Sequence, residues 1–301
     1  MTPNKPGMKY IYTKSVNTFN SMKLYFLLSR PYTLVEIALL GLLANIIATQ
    51  KLVFGIDLTI DVAIFLCFWL SLIYSTEVAH KDVDKRNNVS IYIPVVLFLA
   101  GISIVIIKNV WGLIFIAIAI MALPLYILKI KNWYLSGASF LARGIFPVMG
   151  ILTVLSLHHT PIGIMLEQYW QIMMAIFLLA SSRNLIGDIR DYNVDKYTLP
   201  RKYGVRNSFL VSEIFILMSC VMIGDLLVIF PLILVFFLIL IHRDYKDAYH
   251  LHRVYILASL FFLMNYNMLL LQMPIIFNDI LFLGVILNFT YDYTPRSINR
   301  G

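Results

Sequence analysis

Apolar residues in this chain fall into long blocks separated by short polar segments, with none of the strict two-residue alternation that marks half-buried strands. An α-helix needs about 20 residues to cross roughly 30 Å of hydrocarbon at ~1.5 Å per residue. Nine blocks approach that length: 32–49, 60–76, 91–107, 110–128, 138–157, 163–183, 207–223, 225–241 and 254–274. The pattern predicts an all-α polytopic membrane bundle of nine transmembrane helices. An odd count puts the termini on opposite faces. A tenth apolar stretch, 277–289, is shorter and contains Asn278 and Asp279, so it reads as an interfacial or packed terminal segment. The joints near Lys108–Val110 and Gly224–Asp225 are short enough to be helical hairpins.

Composition agrees with the pattern. The 301 residues are 60% hydrophobic and 13% charged, which disfavours a soluble enzyme or a disordered chain. Two cysteines, Cys67 and Cys220, both lie inside apolar blocks and imply neither a disulfide framework nor a redox site. The formal charge of +8 would suggest nucleic acid in a soluble protein. Here the basic residues sort by membrane face instead, and nucleic acid is not an expected partner. Lys5, Lys9, Lys14, Lys23 and Arg30 precede the first block, Lys81, Lys85 and Arg86 follow the second, and Lys129 and Lys131 follow the fourth. Arg183, Arg190, Lys196, Arg201, Lys202 and Arg206 fall on the same side, whereas the opposite loops offer little beyond Lys51 and Lys108. The N-terminus is therefore expected in the cytoplasm, with residues 1–30 a polar segment that lacks the layout of a cleaved secretory signal. Residues 1–301 read as a single domain.

The scarce acids are clustered. Asp188, Asp191 and Asp195 stand at i, i+3 and i+7, one face of a helix. Three carboxylates so stacked repel one another, and Mg²⁺, which takes hard oxygen ligands and shares them with substrate phosphates, is the natural counter-charge. A solvated helix end neutralised by Arg190 and Lys196 is the plainer alternative. Glu77, His80 and Asp84 repeat the spacing after the second block. There the histidine either meets a cation, donates to a phosphate oxygen or carries a proton, or it merely solubilises the helix end together with Glu77. His158 and His159 are adjacent, point about 100° apart on a helix, and have no carboxylate near them in sequence, so a metal role is not expected.

These two segments, about 110 residues apart, resemble the aspartate-rich motifs of the UbiA superfamily of intramembrane prenyltransferases. The stretch from Asn184 to Gly204 is similar to the second motif: Asp191 and Asp195 form its Asp-x-x-x-Asp, Asp188 precedes it, and Thr198-Leu199-Pro200 follows. Ser29-Arg30-Pro31, Leu128-Lys129 and Arg143-Gly144 add to the likeness, which covers about residues 20–290. The first motif departs from the family pattern, with Glu77 in the asparagine place and His80 in the first aspartate place; Asp84 is as expected.

The resemblance implies nine helices around a central cavity and Mg²⁺-dependent transfer of an isoprenyl group from an allylic prenyl diphosphate to an aromatic or other hydrophobic acceptor. It implies Asp84, Asp188, Asp191, Asp195 and Glu77 as metal ligands, and Asp191, Asp195, Asp84 and His80 as the catalytic set. Lys129, Arg201, Lys202, Arg30 and Arg143 are the candidate cations for the diphosphate. Tyr192, Tyr197 and Tyr203 flank the second acidic segment, where ring faces could stabilise a carbocation. Membrane lipids complete the expected surroundings. Three other readings stay open: a terpene cyclase of the same superfamily, a transporter, and a non-catalytic scaffold.

Overall fold

The computed structural model describes residues 31–51, 54–79, 90–127, 138–190, 192 and 198–223. Among these every regular element is helical: α1 (Pro31–Thr49), α2 (Ile56–Ala79), α3 (Tyr92–Lys108), α4 (Gly112–Ile127), α5 (Ser139–Leu157), α6 (Ile162–Arg190), α7 (Leu199–Tyr203) and α8 (Val205–Ile223).

The expectation of nine transmembrane helices is overturned. The described residues form eight helices, and three of them contain stretches long and apolar enough to cross a membrane: Ile56–Thr76, Ser139–Leu157 and Ile162–Ile189. Three more apolar stretches, Glu36–Thr49, Tyr92–Lys108 and Gly112–Tyr126, fall short of that length. At ~1.5 Å per residue, the 17 residues of α3 and 16 of α4 rise only about 25 Å each. The seventh expected span, as α8, is interrupted by Arg206, Asn207, Ser208, Ser212 and Glu213. A sliding window averages over such polar positions. Blocks 225–241, 254–274 and 277–289 lie outside the described residues, and the inference from an odd count to opposed termini falls with the count.

The chain is a multi-pass membrane protein built of apolar helices. The exposed faces of α3 and α4 show why: Val96, Leu99, Ile106, Ile107, Ile114 and Met121 all point outward. Water would penalise so continuous an apolar surface, whereas lipid does not.

The core forms on the opposite faces. In α1, Leu39, Leu40, Leu43, Ala44, Ile46 and Ile47 are all buried. α1 packs on α2 and α5, α2 on α3, α4 on α5, α5 on α6, and α6 on α8. α5 is thus central, and its close approach to α6 depends on Gly144, where any Cβ would overlap the Ser181 hydroxyl and the Phe177 carbonyl. The expected hairpin between α3 and α4 is present: Asn109 Oδ1 accepts from the Trp111 amide at 3.1 Å, and its Nδ2 donates to the Ser156 carbonyl at 2.6 Å. These bonds tie the hairpin to the end of α5.

Two helix ends explain the local chain path. After α5, the His159 amide donates to the Ser156 carbonyl (3.0 Å) and the Thr160 amide to the Leu155 carbonyl (3.1 Å), a Schellman pair that holds His159 at φ 57° in the left-handed region. Pro161 then prevents continuation of the helix. The short α7 has Pro200 in its first turn and ends at Gly204, whose φ of 86° suits a residue without a side chain.

Candidate active site

Helices α1, α3, α5 and α8 begin, and α2, α4 and α6 finish, at one end of the bundle, termed here the acidic end. α6 continues to Arg190, past the expected boundary at 183, because the polar stretch after Ser182 still packs. Leu185, Ile186 and Ile189 are buried, and the last two pack against Val205 and Phe209 of α8. Asp188 on this extension is only 1% exposed, and the Ser139 hydroxyl at the start of α5 donates to its Oδ2 at 3.4 Å. The carboxylate stands beside the amino-terminal turn of α5, where unpaired backbone N–H groups favour negative charge.

Arg183, one and a half turns earlier on α6, reaches across to α1. Its Nη1 donates to both oxygens of Glu36, at 2.5 Å to Oε1 and closer to Oε2, and Nη2 lies 3.4 Å from Thr33 Oγ1. Both charged side chains are buried. Arg143 of α5 is also buried, its guanidinium carbon 3.7 Å from the centre of the Trp69 ring on α2. The Trp69 indole N–H is buried and has no hydrogen-bond acceptor among the described residues.

Glu36 and Arg143 are the charged members in the lining of a cavity of about 140 Å³ between α1, α2, α3, α4, α5 and α6. Its walls are otherwise almost wholly apolar and rich in rings: Phe65, Phe68, Trp69, Phe98 and Phe146. Arg143 lies one helical turn beyond Ser139, so the charged end of the cavity is about 6 Å along α5 from the Ser139–Asp188 contact. This volume exceeds several water molecules and matches a slender hydrocarbon better than a polar solute.

The expected site residues divide into those described and those not. Asp84, Asp191, Asp195, His80, Lys129, Arg30 and Tyr197 lie outside the described residues; Glu77 is in the last turn of α2, its side chain likewise outside them. Asp188 and Arg143 come to the same end of the bundle. Arg201 and Lys202 are exposed on α7; Arg201 stacks over Tyr192 at 4.3 Å and Lys202 lies 5.0 Å from the Tyr203 ring centre. Among the described residues no three His, Cys, Asp or Glu side chains form a group able to hold a metal ion. Asp188 offers the hard oxygen donor that Mg²⁺ prefers, at the point where Asp191 follows in sequence, so its chemistry fits that ion.

The sequence reading missed Glu36, Arg183 and Trp69. Glu36 had a signal, a lone acid inside an apolar block, which in a membrane calls for a named partner; that partner is 147 residues away. A second polar group, at the opposite end, was also missed. Asp61 on α2 is 2% exposed, and its Oδ2 accepts from Asn45 Nδ2 of α1 at 2.7 Å and lies 2.8 Å from His158 Nε2 of α5. His158 therefore does have a carboxylate neighbour, brought from 97 residues away. No protein-family model, curated protein or solved structure matches this chain.

Proposed function

We propose that this protein transfers an isoprenyl group from an allylic prenyl diphosphate to a lipophilic acceptor within the membrane, with Mg²⁺ held by Asp84, Asp188, Asp191 and Asp195. The observation that carries this reading is the ring-lined apolar cavity, whose lining residue Arg143 lies one helical turn along α5 from Ser139, the hydroxyl partner of buried Asp188. A hydrocarbon tail and a diphosphate head need adjoining apolar and ionic compartments, and this arrangement supplies both.

In the reaction the allylic carbon–oxygen bond breaks with its electron pair going to diphosphate; the acceptor's nucleophilic atom bonds to the allylic carbon and loses a proton. Mg²⁺, when bound, offsets charge on the leaving diphosphate. Arg143 adds a buried guanidinium on the cavity side of that leaving group, and its stacking on Trp69 restricts its orientation. Arg183 holds the Glu36 carboxylate in place beside the cavity. Apolar walls keep water from the allylic cation. The cytoplasm is the proposed side of the acidic end, from the distribution of Lys and Arg.

A second reading, cyclisation of the prenyl chain, is favoured by the five rings in the cavity wall, whose faces stabilise a migrating cation. Product analysis separates the two. Purified protein given allylic diphosphates, Mg²⁺ and a panel of phenolic, quinone and lipid acceptors yields a prenylated acceptor under the first reading. Hydrocarbon or alcohol products alone would replace it with the second.

A further inference from the structure

We infer that the outer surface of α7 and the first turn of α8 bind the headgroup of an anionic lipid, with Arg201, Lys202 and Arg206 as the cations that meet its phosphate. The inference stands apart from the prenyl-diphosphate reading.

The backbone that carries these side chains fixes where they stand. Thr198 and Pro200 are buried, and the Thr198 carbonyl accepts from the Arg201 amide at 3.1 Å and the Lys202 amide at 3.2 Å. With that side of α7 anchored inward, Arg201, Lys202 and Tyr203 are all exposed. Gly204, at φ 86°, redirects the chain into α8, and Asn207 Nδ2 donates to the Tyr203 carbonyl at 2.9 Å across the turn. Arg206, in the first turn of α8, is exposed as well. The cavity takes its lining from α1 to α6, and none of the three cations belongs to it.

Their neighbour on the outside is lipid. Leu210, Ile214, Leu217, Met218 and Val221 are exposed and share one face of α8. Arg206 heads the same face, four residues before Leu210 and so about 6 Å nearer the acidic end. The stripe from Leu210 to Val221 rises about 17 Å, close to the ~15 Å of hydrocarbon in one leaflet, which sets Arg206 at headgroup depth. Tyr203, 53% exposed, is a ring of the type that settles at that level. The exposed charge is of one sign: the only acid among described residues 198–223 is Glu213, and it is 3% exposed. Arg201 is restrained by stacking over Tyr192 at 4.3 Å, which presents a planar donor suited to phosphate oxygens. Each basic side chain at a membrane surface strengthens attraction for an anionic lipid about fivefold. A zwitterionic headgroup offsets this with its own ammonium.

The test is native mass spectrometry of the purified full-length protein, titrated in detergent with phosphatidylglycerol or phosphatidylcholine in the presence of a chelator. The wild type retains phosphatidylglycerol at least about tenfold more tightly, and added salt weakens the preference. Arg201→Gln, Lys202→Gln and Arg206→Gln together remove it, and Arg206→Gln alone, read should the triple variant not fold, lowers it about fivefold. Lys51→Gln, at the opposite end of the bundle, leaves it unchanged. Equal retention of the two lipids by the wild type, or a preference that survives in the folded triple variant, overturns the inference. So does release of phosphatidylglycerol by equimolar inorganic diphosphate, which would mark a site for free phosphate.

Discussion

Cutting the Glu36–Arg183 pair tests how the acidic end is held. At 2.5 Å and an effective dielectric near 20, the direct attraction is about 7 kcal/mol. Much of that is offset by the cost of removing both ions from water, several kcal/mol each. The pair's net worth is therefore small, but the loss of one partner exposes the uncompensated cost of the other. Arg183→Met leaves the Glu36 carboxylate buried beside an apolar cavity, and Glu36→Leu leaves a buried guanidinium. Each single variant is expected to lose about 3–5 kcal/mol, and the double variant to return within about 1 kcal/mol of the wild type. At about 2.1 cal/mol/K of unfolding entropy per residue, a loss of this size lowers the midpoint of thermal unfolding by roughly 5–8 °C in a 301-residue chain. Thermal unfolding of the detergent-solubilised wild type, both singles and the double gives the coupling directly. Additive losses, or singles that each cost under about 1 kcal/mol, would refute the reasoning.

Three further outcomes follow from other contacts. His159→Gly removes a side chain from a left-handed position that the Schellman turn imposes, and should raise stability by about 0.5–1 kcal/mol in the same melting assay. Asp61→Leu deprives Asn45 and His158 of their common acceptor and should cost about 2–4 kcal/mol, whereas the exposed Asp57→Asn, which weakens only the 2.5 Å surface pair with Lys108, should change the melting midpoint little. Gly144→Val sets a branched side chain against Ser181 and Phe177, so the protein should lose about 3 kcal/mol of stability and, when solubilised, unfold at a markedly lower temperature.

Helix positions were legible where polar residues punctuate the apolar pattern. α3, α4 and α5 fall within about two residues of the expected blocks because Lys108-Asn109 and His158-His159-Thr160-Pro161 interrupt them unmistakably. The end of α6 was not legible. The segment from Asn184 to Arg190 has loop-like polarity, yet Leu185, Ile186 and Ile189 are buried at a helical spacing, and the last two pack on α8. The number of spans was misread for a related reason: mean hydropathy does not distinguish a membrane-length helix from a shorter or polar-interrupted one. In the candidate site, Asp188 and Arg143 were visible through the motif resemblance. Glu36–Arg183 and Asp61–His158 were not, since each joins polar groups about 100 residues or more apart in sequence, and only the packing of α1 and α2 on the later helices makes them neighbours.

The central claim is tested most directly by diphosphate release from an allylic prenyl diphosphate, measured on purified full-length protein with and without Mg²⁺. The account predicts Mg²⁺-dependent release that is lost on chelation and abolished in Asp191→Ala and Asp195→Ala variants that keep the wild-type melting profile. The absence of release from folded wild-type protein at every prenyl chain length offered, or release unaffected by either substitution, would contradict it.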